Sequence, residues 1–238
     1  KDVIDRGWGK DVGPFRAGRI SAVSGVIGEP GTFYAGLPAG GVWKTTNAGA
    51  TWWPIFDDVK DAEVIGALEV APSNGNTIYV GTGDLIAGGG NAEGNGMYKS
   101  TDAGATWTHV GLEKTKQIPS IVVDPREANM VLVAAQGDAR HKSEDRGVFR
   151  STDGGTRWTR TLFVDDSTGI QKLAIAFDRP DVVFATTVRH YTPVPSGPPV
   201  VPPQGLGGGG GPAGAQRSQG PTGTSIYKSL DGGATWKE

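Results

Sequence analysis

The sequence predicts an all-β chain, a β-propeller of four-stranded antiparallel blades, with about four blades in 238 residues. Three observations predict it. One eight-residue pattern occurs four times: Thr45-Thr-Asn-Ala-Gly-Ala-Thr-Trp52, Ser100-Thr-Asp-Ala-Gly-Ala-Thr-Trp107, Ser151-Thr-Asp-Gly-Gly-Thr-Arg-Trp158 and Ser229-Leu-Asp-Gly-Gly-Ala-Thr-Trp236. Repetition at such intervals is the mark of a repeat architecture. Between these boxes lie apolar runs of strand length, with no long stretch of helical periodicity. Glycine (39) and proline (16) are abundant, which signals many turns and few helices.

Each interval repeats one order of elements. A first strand is predicted at Ile20–Val26, Ile65–Val70, Ile118–Val123 and Ile170–Phe177. Turns such as Pro72–Asn76 and Asp124–Asn129 lead to a second strand at Thr32–Ala35, Ile78–Thr82, Val131–Ala135 and Val182–Thr186. A third strand carries Trp43, Tyr98, Phe149 or Tyr227 and runs straight into the box. The tryptophan closing the box opens a fourth strand, as in Trp107–Val110. The predicted organisation is a lead-in at 1–18 and a propeller segment at 19–238, with blades at 19–56, 65–111, 118–163 and 170–238.

The third box positions, Asn47, Asp102, Asp153 and Asp231, lie 55, 51 and 78 residues apart. A blade needs about 40–45 residues, so the excess sits in loops. Most of the last excess is a Pro/Gly-rich insertion at 193–223. Its composition cannot pack a core, and it reads either as a surface excursion or as a docking arm.

Within a box the residue types have mechanical reasons. The Asp carboxylate accepts hydrogen bonds from turn N–H groups, and glycine at the fifth position supplies a positive φ. Trp52, Trp107, Trp158 and Trp236 are four of the seven tryptophans, and each suits the space between neighbouring sheets.

Composition excludes several classes. A formal net charge of −2 without a basic stripe argues against nucleic acid as a partner. No apolar run approaches the roughly 20 residues of a membrane-spanning helix. Cysteine is absent, which removes disulfides and thiolate metal sites. Three dispersed histidines make no zinc site. The Asp153-Gly-Gly and Asp231-Gly-Gly segments lack calcium-loop spacing, and Gly207–Gly211 lacks a following Gly-Lys-Ser/Thr. No metal and no cofactor is expected.

The four boxes resemble the Asp-box, or bacterial neuraminidase repeat, of sialidases, xyloglucanase-type glycoside hydrolases and sortilin-type propellers. The chain is similar to large bacterial secreted proteins with sortilin-like propellers, often described as glycosyl hydrolases from their repeats. Gly13-Pro-Phe-Arg-Ala-Gly-Arg-Ile20, Gly41-Val-Trp-Lys-Thr-Thr46 and Arg146-Gly-Val-Phe-Arg-Ser-Thr-Asp-Gly-Gly155 carry that likeness. Asn47 and Arg157 depart from the pattern, in place of Asp and Thr. The resemblance implies an extracytoplasmic protein, periplasmic or secreted, with more blades and hence more polypeptide beyond Glu238. It implies first a non-catalytic scaffold that binds a protein or peptide. The alternative is a glycoside hydrolase, sialidase- or xyloglucanase-like, acting on polysaccharide.

In such a meander the boxes sit at one end, and the loops between strands two and three share the other end with the inter-blade loops. Chemistry is therefore sought in 84–95, 137–146 and 189–224. A glycosidase needs two carboxylates about 5–10 Å apart. The candidates are Asp84, Asp138, His141 and Glu144, a carboxylate beside histidine being able to support acid–base work. The competing reading is a solvated charged loop with Asp145 and Arg146 paired across its neck. Sialidase chemistry would draw on Arg16, Arg19, Arg189 and Tyr191, but the characteristic Arg-Ile-Pro phrase is missing at Phe15-Arg-Ala-Gly18. In the xyloglucanase type, catalytic Asp residues face a cleft between two propellers, so this segment would not complete the pair.

Overall fold

The computed structural model describes residues 19–86, 90–189 and 224–238. The lead-in 1–18 with Arg16, the pair His190 and Tyr191, and the insertion 193–223 lie outside these residues.

Four antiparallel meanders follow one another. The first comprises β1 (Ala22–Val26), β2 (Glu29–Leu37), β3 (Gly41–Thr45) and β4 (Trp53–Pro54), hydrogen-bonded in that order. The second comprises β5 (Ile65–Val70), β6 (Ile78–Thr82), β9 (Met97–Ser100) and β10 (Thr108–His109). Between its second and third strands stands an extra hairpin, β7 (Asp84–Ile86) with β8 (Gly90–Ala92), where the sequence suggested only a loop. The third blade is β11 (Ser120–Asp124), β12 (Glu127–Ala135), β13 (Gly147–Ser151) and β14 (Thr159–Leu162). The fourth has three strands, β15 (Thr168–Ala176), β16 (Arg179–Arg189) and β17 (Ile226–Ser229), plus a single bridge from Lys228 to Lys237 where a fourth strand would start. Among the described residues there is no α-helix, only a 3₁₀ turn at Glu113–Thr115. The fold is all-β, a run of propeller blades.

The blades pack face to face through three apolar cores. Tyr34 and Val42 of blade one meet Leu68, Ile78 and Val80 of blade two. Tyr79 and Met97 then meet Ile121, Val131 and Val133 of blade three. Leu132 and Val148 meet Leu173, Val183 and Ala185 of blade four. Alternation along each second strand explains this, because successive side chains point to opposite faces of the sheet. Tyr34 and Tyr79 face forward to the next blade, whereas Ile78 and Val80 face back.

Each box turn is a closed hydrogen-bond unit. The first-position hydroxyl donates to the third-position side chain at 2.7–3.0 Å, from Thr45 to Asn47, Ser100 to Asp102, Ser151 to Asp153 and Ser229 to Asp231. The seventh-position N–H donates to the same oxygen at 2.8–2.9 Å, from Thr51, Thr106, Arg157 and Thr235. Positions four and five both take positive φ. Gly104 and Gly155 do so at 88° and 93°, while Ala48 and Ala103 hold 57° and 58° at position four. Two consecutive left-handed residues reverse the chain within the box, and glycine at position five makes the second tolerable.

The closing tryptophan locks its blade onto the one before. Trp107 Nε1 donates to Ile55 O at 2.8 Å, Trp158 to Val110 O at 2.6 Å and Trp236 to Thr161 Oγ1 at 3.1 Å. Trp107 also meets Phe56 edge-on, with ring centroids 5.0 Å apart. Truncating such an aromatic typically costs about 3–5 kcal/mol.

Candidate functional site

A polar cleft of about 280 Å³ opens at the end of the blades away from the boxes, where second strands finish and first strands begin. Arg19, Ser21, Asp84, Gln117, Gln136 and Gln171 are the polar side chains that line it. They arrive by separate local devices. Gln136 follows the last residue of β12, and its N–H donates to Gln117 O at 3.0 Å across the blade edge. Gln171 is the extra residue of a bulge in β15, between the pairs Ile170–Thr187 and Lys172–Thr186; bulges re-aim side chains in this way. The equivalent bulge in β5 holds Gly66, where a Cβ would stand 2.2 Å from Gly83 O. No larger residue fits there, and the floor of the cleft stays open.

Gln117 and Gln136 are buried, yet the Oε1 of each lacks a hydrogen-bond partner. Gln136 Nε2 donates to Gln171 Oε1, which fixes the orientation of one amide. A buried amide oxygen without a donor costs about 1–3 kcal/mol, so these two oxygens are ready acceptors for a ligand that brings hydroxyl or N–H groups. Asp84 reaches the cleft with its carboxylate against the Arg19 guanidinium.

The neighbouring loop 137–146 is organised by Arg146. Its guanidinium is fully buried and donates to four backbone carbonyls, those of Gln136, Asp138, His141 and Asp166. The sequence suggested that Arg146 pairs with Asp145; instead it ties the loop by its main chain, because four inward-facing carbonyls need donors that only a long planar cation supplies.

The four candidate catalytic residues fall into different settings. Asp138 is largely enclosed. Burial alone would raise its carboxyl, but Lys116 at 2.8 Å, the N–H of Arg140 and the His141 ring hold it well below the usual range. It stays ionised and cannot deliver a proton as a general acid. His141 is exposed and rests on Asp138, Nδ1 to Oδ2 at 3.1 Å. Glu144 is exposed, and its backbone carbonyl accepts a hydrogen bond from Arg160. Of the four, Asp84 alone lines the cleft. No second carboxylate lines it with Asp84, so the cleft does not hold a glycosidase pair among the described residues.

A second hollow of about 230 Å³ lies toward the box end, lined by Ser24, Ile27, Glu69, Val122, Ile175 and Phe177. Burial pushes the Glu69 carboxyl up to about 7, against the opposing pull of Lys172. That value suits acid–base work, but here too no partner carboxylate lines the wall. No group of three or more potential metal ligands exists among the described residues.

Sequence reasoning did not single out Gln117, Gln136 or Gln171. A signal was present: Gln136 follows β12 at the position where Gly83 follows β6, so comparing repeats would have marked it as a departure.

Comparison with known proteins now decides the family. The model described as "Sortilin, neurotensin receptor 3" matches residues 40–189, more than half of the chain. The chain belongs to the Sortilin-Vps10 family. Curated relatives include a xyloglucanase of Paenibacillus sp, 26% identical over 90% of this chain and 20% of its own length. A xyloglucanase of Acetivibrio thermocellus is 26% identical over 98% of this chain and 28% of its own length. This Sortilin-Vps10 chain thus spans about a fifth to three tenths of those relatives. Among solved structures, an ancestral GH74 enzyme matches with TM-score 0.64 at 21% identity, covering 92% of this chain and 24% of that one. The GH74 xyloglucanase of Xanthomonas campestris matches with TM-score 0.59 at 19% identity, covering 93% and 30%.

These relatives correct one expectation. The first reading was a non-catalytic scaffold for a protein or peptide, but the curated relatives matched over most of the chain are named xyloglucanases. They favour the glycoside-hydrolase alternative, and nothing in the comparisons supports a protein partner.

Proposed function

We propose that this chain is the propeller segment of a secreted, Asp-box-containing glycoside hydrolase and that its polar cleft binds a stretch of polysaccharide. The observation that carries the reading is the pair of buried, unpartnered amide oxygens on Gln117 and Gln136, both lining the cleft. Sugar hydroxyls both donate and accept, so they satisfy such oxygens while accepting from amide N–H groups. The xyloglucanases named among the relatives support xyloglucan as the substrate class.

In this reading Asp84 is the carboxylate of this chain that faces the glycan. The Arg19 guanidinium lies against it, and a glycosidase pair needs such a carboxylate beside a second one. The second carboxylate of a hydrolytic pair comes from elsewhere in the assembled enzyme. Asp138, His141 and Glu144 lie outside the cleft lining and carry no proton in the reaction. The box residues Asn47, Asp102, Asp153 and Asp231, with Trp52, Trp107, Trp158 and Trp236, are structural.

Calorimetric titration with xyloglucan oligosaccharides tests the reading, with mannan and chitin oligosaccharides as controls. Gln136→Leu is expected to weaken xyloglucan binding by about tenfold or more, the loss of one good hydrogen bond in a desolvated site. Absence of binding across the glycan panel, or undiminished binding by Gln136→Leu, would count against it.

A further inference from the structure

Lys116 holds a backbone conformation that a lysine resists, immediately before one of the two unpartnered glutamines of the cleft. Its φ is 55° with ψ −42°, and the N–H of Gln117 folds back to donate to Thr115 O at 2.5 Å. That is a γ-turn of the rare, strained hand. Glycine would adopt it without a steric penalty. Strain of this kind persists only where the surroundings enforce it, so a lysine kept here points to a use for its side chain.

The enforcing contacts come from both main chain and side chain. Gly94 N–H donates to Lys116 O at 2.7 Å, and a Cβ on Gly83 would stand 1.8 Å from that carbonyl. Lys116 Nζ donates to Asp138 Oδ2 at 2.8 Å and to Glu93 Oε1 at 3.1 Å. Asp138 is itself fixed, because its Oδ1 accepts the N–H groups of Arg140 and His141 at 2.8 and 3.2 Å.

The two carboxylates stand on the two segments that carry other polar groups of the cleft. Glu93 follows directly on the β7–β8 hairpin, which begins with Asp84. Asp138 comes just after Gln136, in the loop knotted by Arg146. Lys116 is thus a staple between the Asp84 hairpin and the Gln136 loop, and Gln117 is delivered between them. The main chain of Gln117 is committed on both sides, its N–H to Thr115 O and its carbonyl to Gln136 N–H at 3.0 Å. Its side-chain Oε1 is what remains to meet a ligand.

We propose that Lys116 is a positioning residue of the cleft: ion-paired to Glu93 and Asp138, it holds the γ-turn that presents Gln117 Oε1 to the glycan. The ligand in this inference rests on the glycan reading above, whereas the placement of Gln117 is measurable without any ligand. A compact ammonium on a flexible stem suits the task, since it can serve two carboxylates that approach from different segments. Lys116 does not itself line the cleft and acts through Gln117.

Three substitutions separate the charge from the backbone. Lys116→Met loses both ion pairs and keeps the strain, Lys116→Gly loses the ion pairs and the strain together, and Lys116→Arg keeps the charge. In ligand-free protein carrying isotope-labelled glutamine, the side-chain amide resonances of Gln117 are expected to move and broaden in the Met and Gly variants and to stay in place in the Arg variant. Xyloglucan-oligosaccharide affinity is expected to fall by about fivefold or more in the first two and to stay within about twofold in the third. Lys116→Gly should do so with an undiminished melting temperature, because glycine relieves the strained turn. Adding Asp138→Asn to Lys116→Met should weaken binding by less than about twofold more, as expected for two residues acting through one contact. Unmoved Gln117 resonances in both the Met and Gly variants overturn the proposal, and so does an equal loss of affinity in the Arg variant. Moved resonances in a protein that binds no glycan at all would support the positioning of Gln117 and overturn the glycan reading alone.

Discussion

The two ends of these blades treat their polar groups in opposite ways. At the box end, Asp102 and Asp231 spend their oxygens on hydroxyls and amides within four residues of themselves. At the far end, Gln117 and Gln136 are enclosed and keep free oxygens, and Arg146 gathers carbonyls from the loop and from the next blade's lead-in. The conspicuous repeated carboxylates are therefore already satisfied, and the unrepeated amides are not. Repetition in this chain marks what builds a blade. Departure from repetition marks where a ligand can be held.

The contrast can be broken at its strongest point by Arg146→Met. Four carbonyls lose a charged donor in a buried position, and a loss of about 3 kcal/mol or more is expected in chemical denaturation. A loss below about 1 kcal/mol would mean that the loop does not depend on this knot. Next in size is Trp158→Ala, expected to cost about 3 kcal/mol while leaving glycan affinity within twofold. Binding that vanishes while the variant remains folded would erase the distinction between the ends.

Glu69 sharpens the comparison along the propeller axis. Its folded-state carboxyl titrates near 7, above the ordinary 4.5, so the folded protein holds this proton more tightly than the unfolded chain. Stability from this group is present at low pH and is lost as pH rises from about 4.5 through about 7. After discounting for solvent in the hollow, the change is about 2 kcal/mol. Glu69→Gln should flatten that slope in urea melts at pH 4.5, 6 and 7.5. An unchanged slope would place the carboxylate in water.

The smallest effect compares two boxes. Hydrogen bonds from Thr106, side chain and backbone, and from Ser100 hold the Asp102 carboxyl at about 2, below its ordinary 3.8. Its contribution is present above about 4 and is lost as pH falls through about 2. Asn47 does not titrate. Hydrogen exchange between pH 4 and 2 should therefore loosen the Thr106 amide relative to the Thr51 amide, and equal behaviour would contradict the hydrogen-bond account.

Much of the fold was legible because a box closes through contacts two to four residues apart. The reversal at Ala103 and Gly104, the hydroxyl at Ser100 and the carboxylate at Asp102 form one local sentence in the sequence. The cleft was not legible for the opposite reason. Gln117, Gln136 and Gln171 come from two blades, glutamine belongs to no catalytic motif, and Gln171 enters only through a bulge. Arg146 looked like a surface charge because its four acceptors are main-chain atoms, which no side-chain pattern announces.

The central claim is that ligand contact belongs to the amide cleft and not to the boxes. The most direct test is xyloglucan-oligosaccharide affinity measured side by side for the unaltered chain, Gln136→Leu and Asp102→Asn. The account predicts about tenfold or greater weakening for Gln136→Leu and a change within twofold for Asp102→Asn. Weakened binding by Asp102→Asn with full binding by Gln136→Leu would contradict it.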